Sequence, residues 1–227
     1  MLRKTFMLLV LFISGVAMAS LQDPKPPFYE IENPDQAIIL RKYAQPVSFP
    51  LSDADKSIIK ALCSAADGEA GVGLAAPQIG YSRQIVMIEI DQAAALLRGV
   101  DTLHPRQIYI NPSYEPTLDA QVVLDWEGCF SVNSLVGKVP RFDRILFRYQ
   151  DIEGQWHHEL VEGFFARVAQ HETDHIRGTL MVDRLTKETT HGTREEMRAA
   201  RLAELTPEQK ALYQQLSAPS ISEEKKS

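Results

Sequence analysis

Residues 170–178 read QHETDHIRG, and within them His171, Glu172 and His175 spell H-E-x-x-H. On a helix, side chains four apart sit one above the other, so the two imidazoles can address a single ion. Glu172 then lies beside the pair without joining it, where a carboxylate can accept a proton from water. That is the zinc-hydrolase reading of the pattern; the bland alternative is a surface helix that happens to carry His, Glu and His. The longer pattern H-E-x-x-H-x-x-G-x-x-H is matched through Gly178, but Met181 stands where its last His belongs. A third ligand must therefore come from elsewhere. Glu188, Glu195 and Glu196 follow downstream, and Cys129 lies upstream in EGCFS at 127–131, a short polar turn after the apolar run Val122, Val123, Leu124. One thiolate and two imidazoles suit zinc or ferrous iron and leave a coordination position open. A buried structural cysteine is the competing reading of Cys129.

Positioning such groups requires a core, and 227 residues, 44% hydrophobic and 24% charged, are enough for one globular domain. The amino terminus differs in kind. Arg3 and Lys4 precede an uncharged stretch of 17 residues at 5–21, in which Ala17-Met18-Ala19 stands before Ser20. A basic start, an apolar middle and an A-x-A end predict a secretory signal over 1–19 and an exported, periplasmic chain with no stable membrane insertion after cleavage; a cytoplasmic location is the alternative. Taking Arg3 and Lys4 from the 24 basic residues leaves 22 against 30 acidic ones, a formal charge of −8. That balance argues against nucleic acid as a partner. Cys63 and Cys129 are the two cysteines, and an oxidising compartment would allow them to pair, which would remove Cys129 as a ligand.

After the signal, Pro24, Pro26 and Pro27 predict an extended lead-in over 20–30. Ser52 caps a helix whose apolar positions Ile58, Ile59, Leu62, Cys63 and Ala66 recur at helical spacing, which places Cys63 in core packing. Strands are expected at 84–90, 107–110 and 122–124, and a hairpin joins 144–150 to 156–161 through the turn DIEG. The helix carrying the two histidines is expected at 162–176, anchored by Phe164, Phe165, Val168 and Ala169 and stopped by Gly178. Capping signals at 193–196 and 206–209 predict two helices in an extension over 186–216, followed by a disordered tail at 217–227. The whole reads as an α+β domain, antiparallel sheets packed around a central metal-binding HExxH helix.

A third segment, GVGLAAPQ at 71–78, has glycines that let backbone approach a ligand and ends on an amide able to donate hydrogen bonds. With GVGLAAPQ, EGCFS and QHETDH in that order, the sequence resembles the peptide deformylase family over 31–185, including LRKYAQPV at 40–47 and VPR at 139–141. The resemblance implies a catalytic domain over that span and a metallohydrolase that removes the N-formyl group from N-formylmethionyl peptides, releasing formate. It implies that Cys129, His171 and His175 ligate one divalent metal, Fe2+ by preference, with Zn2+, Ni2+ or Co2+ able to take its place. Glu172 would be general base and then acid, with Gln78 and the backbone amide of Phe130 donating to the substrate oxygen. Val72 and Gly73 would run along the peptide backbone and Phe164 would border the methionine pocket, with Glu127 and Arg141 as supports. A monomer is expected. Phe130 stands where the family usually has Leu, which keeps the backbone donor. An exported member would meet formylated chains only after secretion, so the alternative is an exported metal-binding or interaction protein with this fold and a different or no substrate.

Overall fold

The computed structural model describes residues 25–216; the signal read at 1–19 and the tail at 217–227 lie outside them. In chain order the elements are α1 (Pro34–Leu40), α2 (Asp53–Ala66), β1 (Gly73–Ala75), β2 (Ile85–Ile90), α3 (Gln92–Arg98), β3 (His104–Pro116) and β4 (Val122–Cys129). There follow β5 (Val132–Phe142), β6 (Arg144–Gln150), β7 (Trp156–Glu162), α4 (Gly163–Ile176), β8 (His191–Gly192), α5 (Arg194–Glu204) and α6 (Pro207–Leu216). Two 3-10 turns, Ala76–Ile79 and Met181–Arg184, flank β1 and α4 on their C-terminal sides. The strands form two antiparallel sheets, one in the order β1-β2-β3-β6-β7 and one in the order β4-β5-β8. Helix α4 packs against strands of both.

Strand β2 shows why the core forms there. It reads IVMIEI, with Val86, Ile88 and Ile90 on one face meeting Phe165, Ala166, Val168, Ala169 and Ile176 of α4. Ile85 and Met87 on the other face meet Ile58, Leu62 and Ala65 of α2. A strand covered on both sides needs no polar alternation, so its apolar run is unbroken over Ile85–Ile88, and Glu89, which pairs with Arg106, interrupts it only near the end. Strand β6 is covered on one side and alternates, burying Ile145, Phe147 and Tyr149. Ser52 caps α2, its side chain accepting from the Asp55 N–H. Gly178, at φ +71°, turns the chain out of α4 where an added Cβ would lie 2.4 Å from the Arg41 carbonyl oxygen. Reciprocal side-chain caps open α5 (Thr193 with Glu196) and α6 (Thr206 with Gln209).

Several expectations are corrected. Cys129 is the last residue of β4, paired with Val132, so the turn is only Phe130–Ser131. The strand expected at 122–124 is present and runs on to Cys129, with Val122, Val123 and Leu124 exposed on β4, whose partner among the described residues is β5. Cys63 is half-buried and belongs to none of the core clusters, and both cysteines are free thiols. Strand β3 continues past Ile110 because Asn111, at φ +51°, forms a bulge and binds the Val47 backbone through its side chain.

Candidate active site

Three segments far apart in sequence meet at the mouth between the sheets. Strand β4 brings Cys129, α4 brings His171, Glu172 and His175, and the 3-10 turn after β1 brings Gln78. The Cys129 Sγ and one ring nitrogen from each histidine lie within 4.8 Å of one another, the one such group of His, Cys and acidic side chains among the described residues. Cys129 Sγ is 3.3 Å from His175 Nε2, and receives hydrogen bonds from Gln78 Nε2 at 3.5 Å and the Ser131 N–H at 3.4 Å. The downstream acids take no part: Glu196 is spent on the α5 cap, and Glu188 and Glu195 are exposed.

Each side chain is aimed by a partner. Gln78 is buried, and its Oε1 accepts from the Ala75 N–H at 2.8 Å, which fixes the amide with its NH2 toward the sulfur. His171 Nδ1 lies 2.9 Å from Glu127 Oε2, so Nδ1 carries the proton and Nε2 is left as the donor atom. Glu127 also accepts from Arg141 Nε and Nη2, both at 2.9 Å, and from Arg167 Nη1 at 2.7 Å. Burial opposes its charge, but the Arg141 guanidinium and the His171 contact hold its carboxyl well below the usual range. Arg141 reaches on to Asp174, which also accepts from Arg184 and Tyr114. This lattice ties β4 and β5 to α4.

Glu172 is the exception to this pairing. It is buried, its Oε2 has no hydrogen-bond partner among the described residues, and burial pushes its pKa up to about 7. Space for it is made by Gly73, where an added Cβ would lie 2.4 Å from Glu172 Oε1. His175 Nδ1 is likewise buried without a partner, and burial holds that ring well below the usual imidazole range. Burial works against charge on His171 too, but the Cys129 and Glu127 contacts raise it well above that range. A sulfur and two ring nitrogens within 4.8 Å of one another are a donor set that a divalent cation fits.

These groups line a cleft of about 590 Å³ that also includes Val72, Gly73, Phe130 and Phe164. Every site residue expected from sequence therefore borders it or, like His175, lies directly behind it. The supports Glu127 and Arg141 are as expected, whereas Arg167, Asp174, Arg184 and Tyr114 went unread. Arg167 and Asp174 are seven apart in α4, hence on one face, and two opposite charges on one face of a helix flanked by apolar residues were the available signal.

Fold and site together define a hydrolase. The sequence pattern of the polypeptide deformylase family matches residues 28–191. Similar chains include a peptide deformylase 2 of Rickettsia conorii, 41% identical over 63% of this chain and 73% of the relative, and a peptide deformylase of Latilactobacillus sakei, 38% identical over 70% and 90%. Among solved structures, a class I type b peptide deformylase from Acinetobacter baumannii superposes with a TM-score of 0.62 at 27% identity, covering 72% of this chain and 100% of that one. A peptide deformylase from Thermotoga maritima gives 0.59 at 30% identity over 72% and 99%. The chain belongs to the polypeptide deformylase family and is an enzyme of that class.

Proposed function

We propose that this chain hydrolyses the formyl amide of N-formylmethionyl peptides, with one divalent ion held by Cys129, His171 and His175. The observation that carries the reading is the convergence of that sulfur and two ring nitrogens within 4.8 Å beside Glu172 and Gln78. The family likeness implies Fe2+, with Zn2+, Ni2+ or Co2+ as substitutes, all of them ions that one thiolate and two imidazoles can hold. An ion held there supplies Lewis acidity, making water a nucleophile near neutral pH and polarising a carbonyl.

The chain's own residues do the rest. Glu172, with its unpartnered Oε2, takes the proton of the attacking water. As the C–O bond forms and the formyl C–N bond breaks, it returns that proton to the departing amine, leaving formate and a free amino terminus. Gln78 Nε2 and the Phe130 N–H donate to the oxygen on which charge develops. Strand β1 is an edge strand, so an extended peptide can add along Val72 and Gly73, and Phe164 borders the methionine side chain. Acinetobacter baumannii relatives have been solved with Met-Ala-Ser and with actinonin bound, which supports reading the cleft as a peptide site.

The test is formate release from formyl-Met-Ala-Ser by purified chain loaded anaerobically with Fe2+; loaded protein that releases none would overturn the reading. Gln78→Leu is expected to keep its metal stoichiometry and lose about 10²–10³ in kcat, the usual cost of one oxyanion donor. A near-normal kcat in that variant would remove Gln78 from the mechanism. Export remains part of the proposal, resting on the signal read at 1–19 and checked by sequencing the mature amino terminus.

A further inference from the structure

The cleft is bounded on one side by chain beyond the family segment, which ends at residue 191. Arg194, the first residue of α5, and Leu216, the last of α6, both line it. The extension is firmly seated: Glu204 accepts from Trp126 Nε1 at 2.7 Å and pairs with Lys138 at 2.7 Å, while Gln209 donates to the Leu96 carbonyl at 2.9 Å. Arg194 Nη2 reaches the Cys129 carbonyl at 3.4 Å, and its Nη1 lies 3.5 Å from where a Gly128 Cβ would stand. Its guanidinium thus rests on the backbone next to the sulfur ligand.

The other cations of the cleft are already paired. Arg98 pairs with Asp125, Arg106 with Asp67 and Glu89, and Arg167 with Glu127. Of the acids that line it, Glu69 is occupied by Lys25, Glu89 by Arg106, Asp91 by the Ala94 N–H and Glu127 by Arg141 and Arg167, which leaves Glu172 beside the metal group. Arg194, among the described residues, has only the one long hydrogen bond to a carbonyl, although a guanidinium carries five N–H donors. Such a fork, with unused donors at a peptide cleft, matches a carboxylate in bidentate geometry.

Resting on the deformylation reading, we propose that Arg194 is a specificity residue that receives a substrate carboxylate. The carboxylate is either the terminus of a short formylated peptide or an acidic side chain near the formyl-methionine. A long neutral chain offers neither, so the site favours short or acidic formyl peptides.

The experiment uses the full chain and calorimetric binding of three probes: Met-Ala-Ser, its C-terminal amide, and Met-Ala-Asp amide. Wild type is expected to bind Met-Ala-Ser about fivefold tighter than its amide, the order of a partly exposed charge-assisted pair. Tight binding of Met-Ala-Asp amide instead would assign the site to a side chain rather than a terminus. Arg194→Gln should bring the ratios to about one, Arg194→Glu should invert them, and Arg194→Lys should restore part. The kcat/KM ratios of the formylated probes should follow through KM. Equal binding of all three by wild type, binding of none, or ratios unmoved in Arg194→Gln would overturn the proposal. Absence of formate from every formylated probe, with the binding ratios as expected, would remove the deformylation reading and leave the Arg194 carboxylate site standing.

Discussion

Glu172→Gln is expected to lower kcat for formate release by about 10²–10⁴, the range spanned by loss of a positioned general base. The amide has nearly the shape of the acid, so it fits the space against Gly73 and leaves Cys129, His171 and His175 untouched. Bound metal and the folded circular dichroism spectrum should therefore match wild type, and the loss should fall on kcat with KM little changed. The side chain makes no hydrogen bond through Oε2, so no structural network depends on its charge. Turnover within tenfold of wild type would show that another group moves the proton.

Glu127→Ala is the second large effect, and it falls on stability before activity. Glu127 is 6% exposed and is the shared acceptor of Arg141, Arg167 and His171. Removing it takes the shared carboxylate from two buried guanidinium groups: Arg141 keeps Asp174, whereas Arg167 keeps backbone carbonyls and the more distant Asp125 at 4.0 Å. Breaking a buried pair of this kind costs about 3–5 kcal/mol, which urea denaturation would read directly. His171 would also lose the contact that fixes its tautomer, lowering metal affinity by about 10–100-fold in a chelator competition. Glu127→Gln should fall between the two, keeping the shape and losing the charge. A variant as stable as wild type, with unchanged metal retention, would show that the Arg141–Asp174 and Arg184 contacts suffice.

The legible parts of this chain were those fixed by local rules. Ser52, Gly178, Thr193 and Pro207 mark helix ends through their own backbone and side-chain chemistry, and each stands where an element begins or stops. The site residues were legible because His171, Glu172 and His175 share one helix and Cys129 sits in a short motif. Strand β5 was hidden because Gly137 and Pro140 read as breakers. In the structure Gly137 allows close approach of β8, where a Cβ would lie 2.6 Å from the His191 Cβ. Strand β8 pairs only with Val136 and Gly137, so Pro140 lies where β5 has a partner on one side alone. Helix α3 was missed although Asp91 caps it and Gly99 ends it at φ +65°; its seven residues give too little periodicity to stand out. The charges of Arg167 and Asp174 show on one helix face, but their partners do not, because those lie on β3, β4, β5 and the turn after α4, which only tertiary packing brings near.

Helix α4 buries Phe165–Gln170 and Glu172–Ile176, so nearly its whole circumference is enclosed. One side is wedged into the main hydrophobic cluster, and the other carries the chemistry. Such an element has no neutral ground for sequence drift: a change in girth at Ala166 or Ala169 would be felt as a tilt of the rings a turn away. Engineering greater robustness into this enzyme should therefore begin at the periphery, on α2 or the outer face of β7, and leave this rod alone.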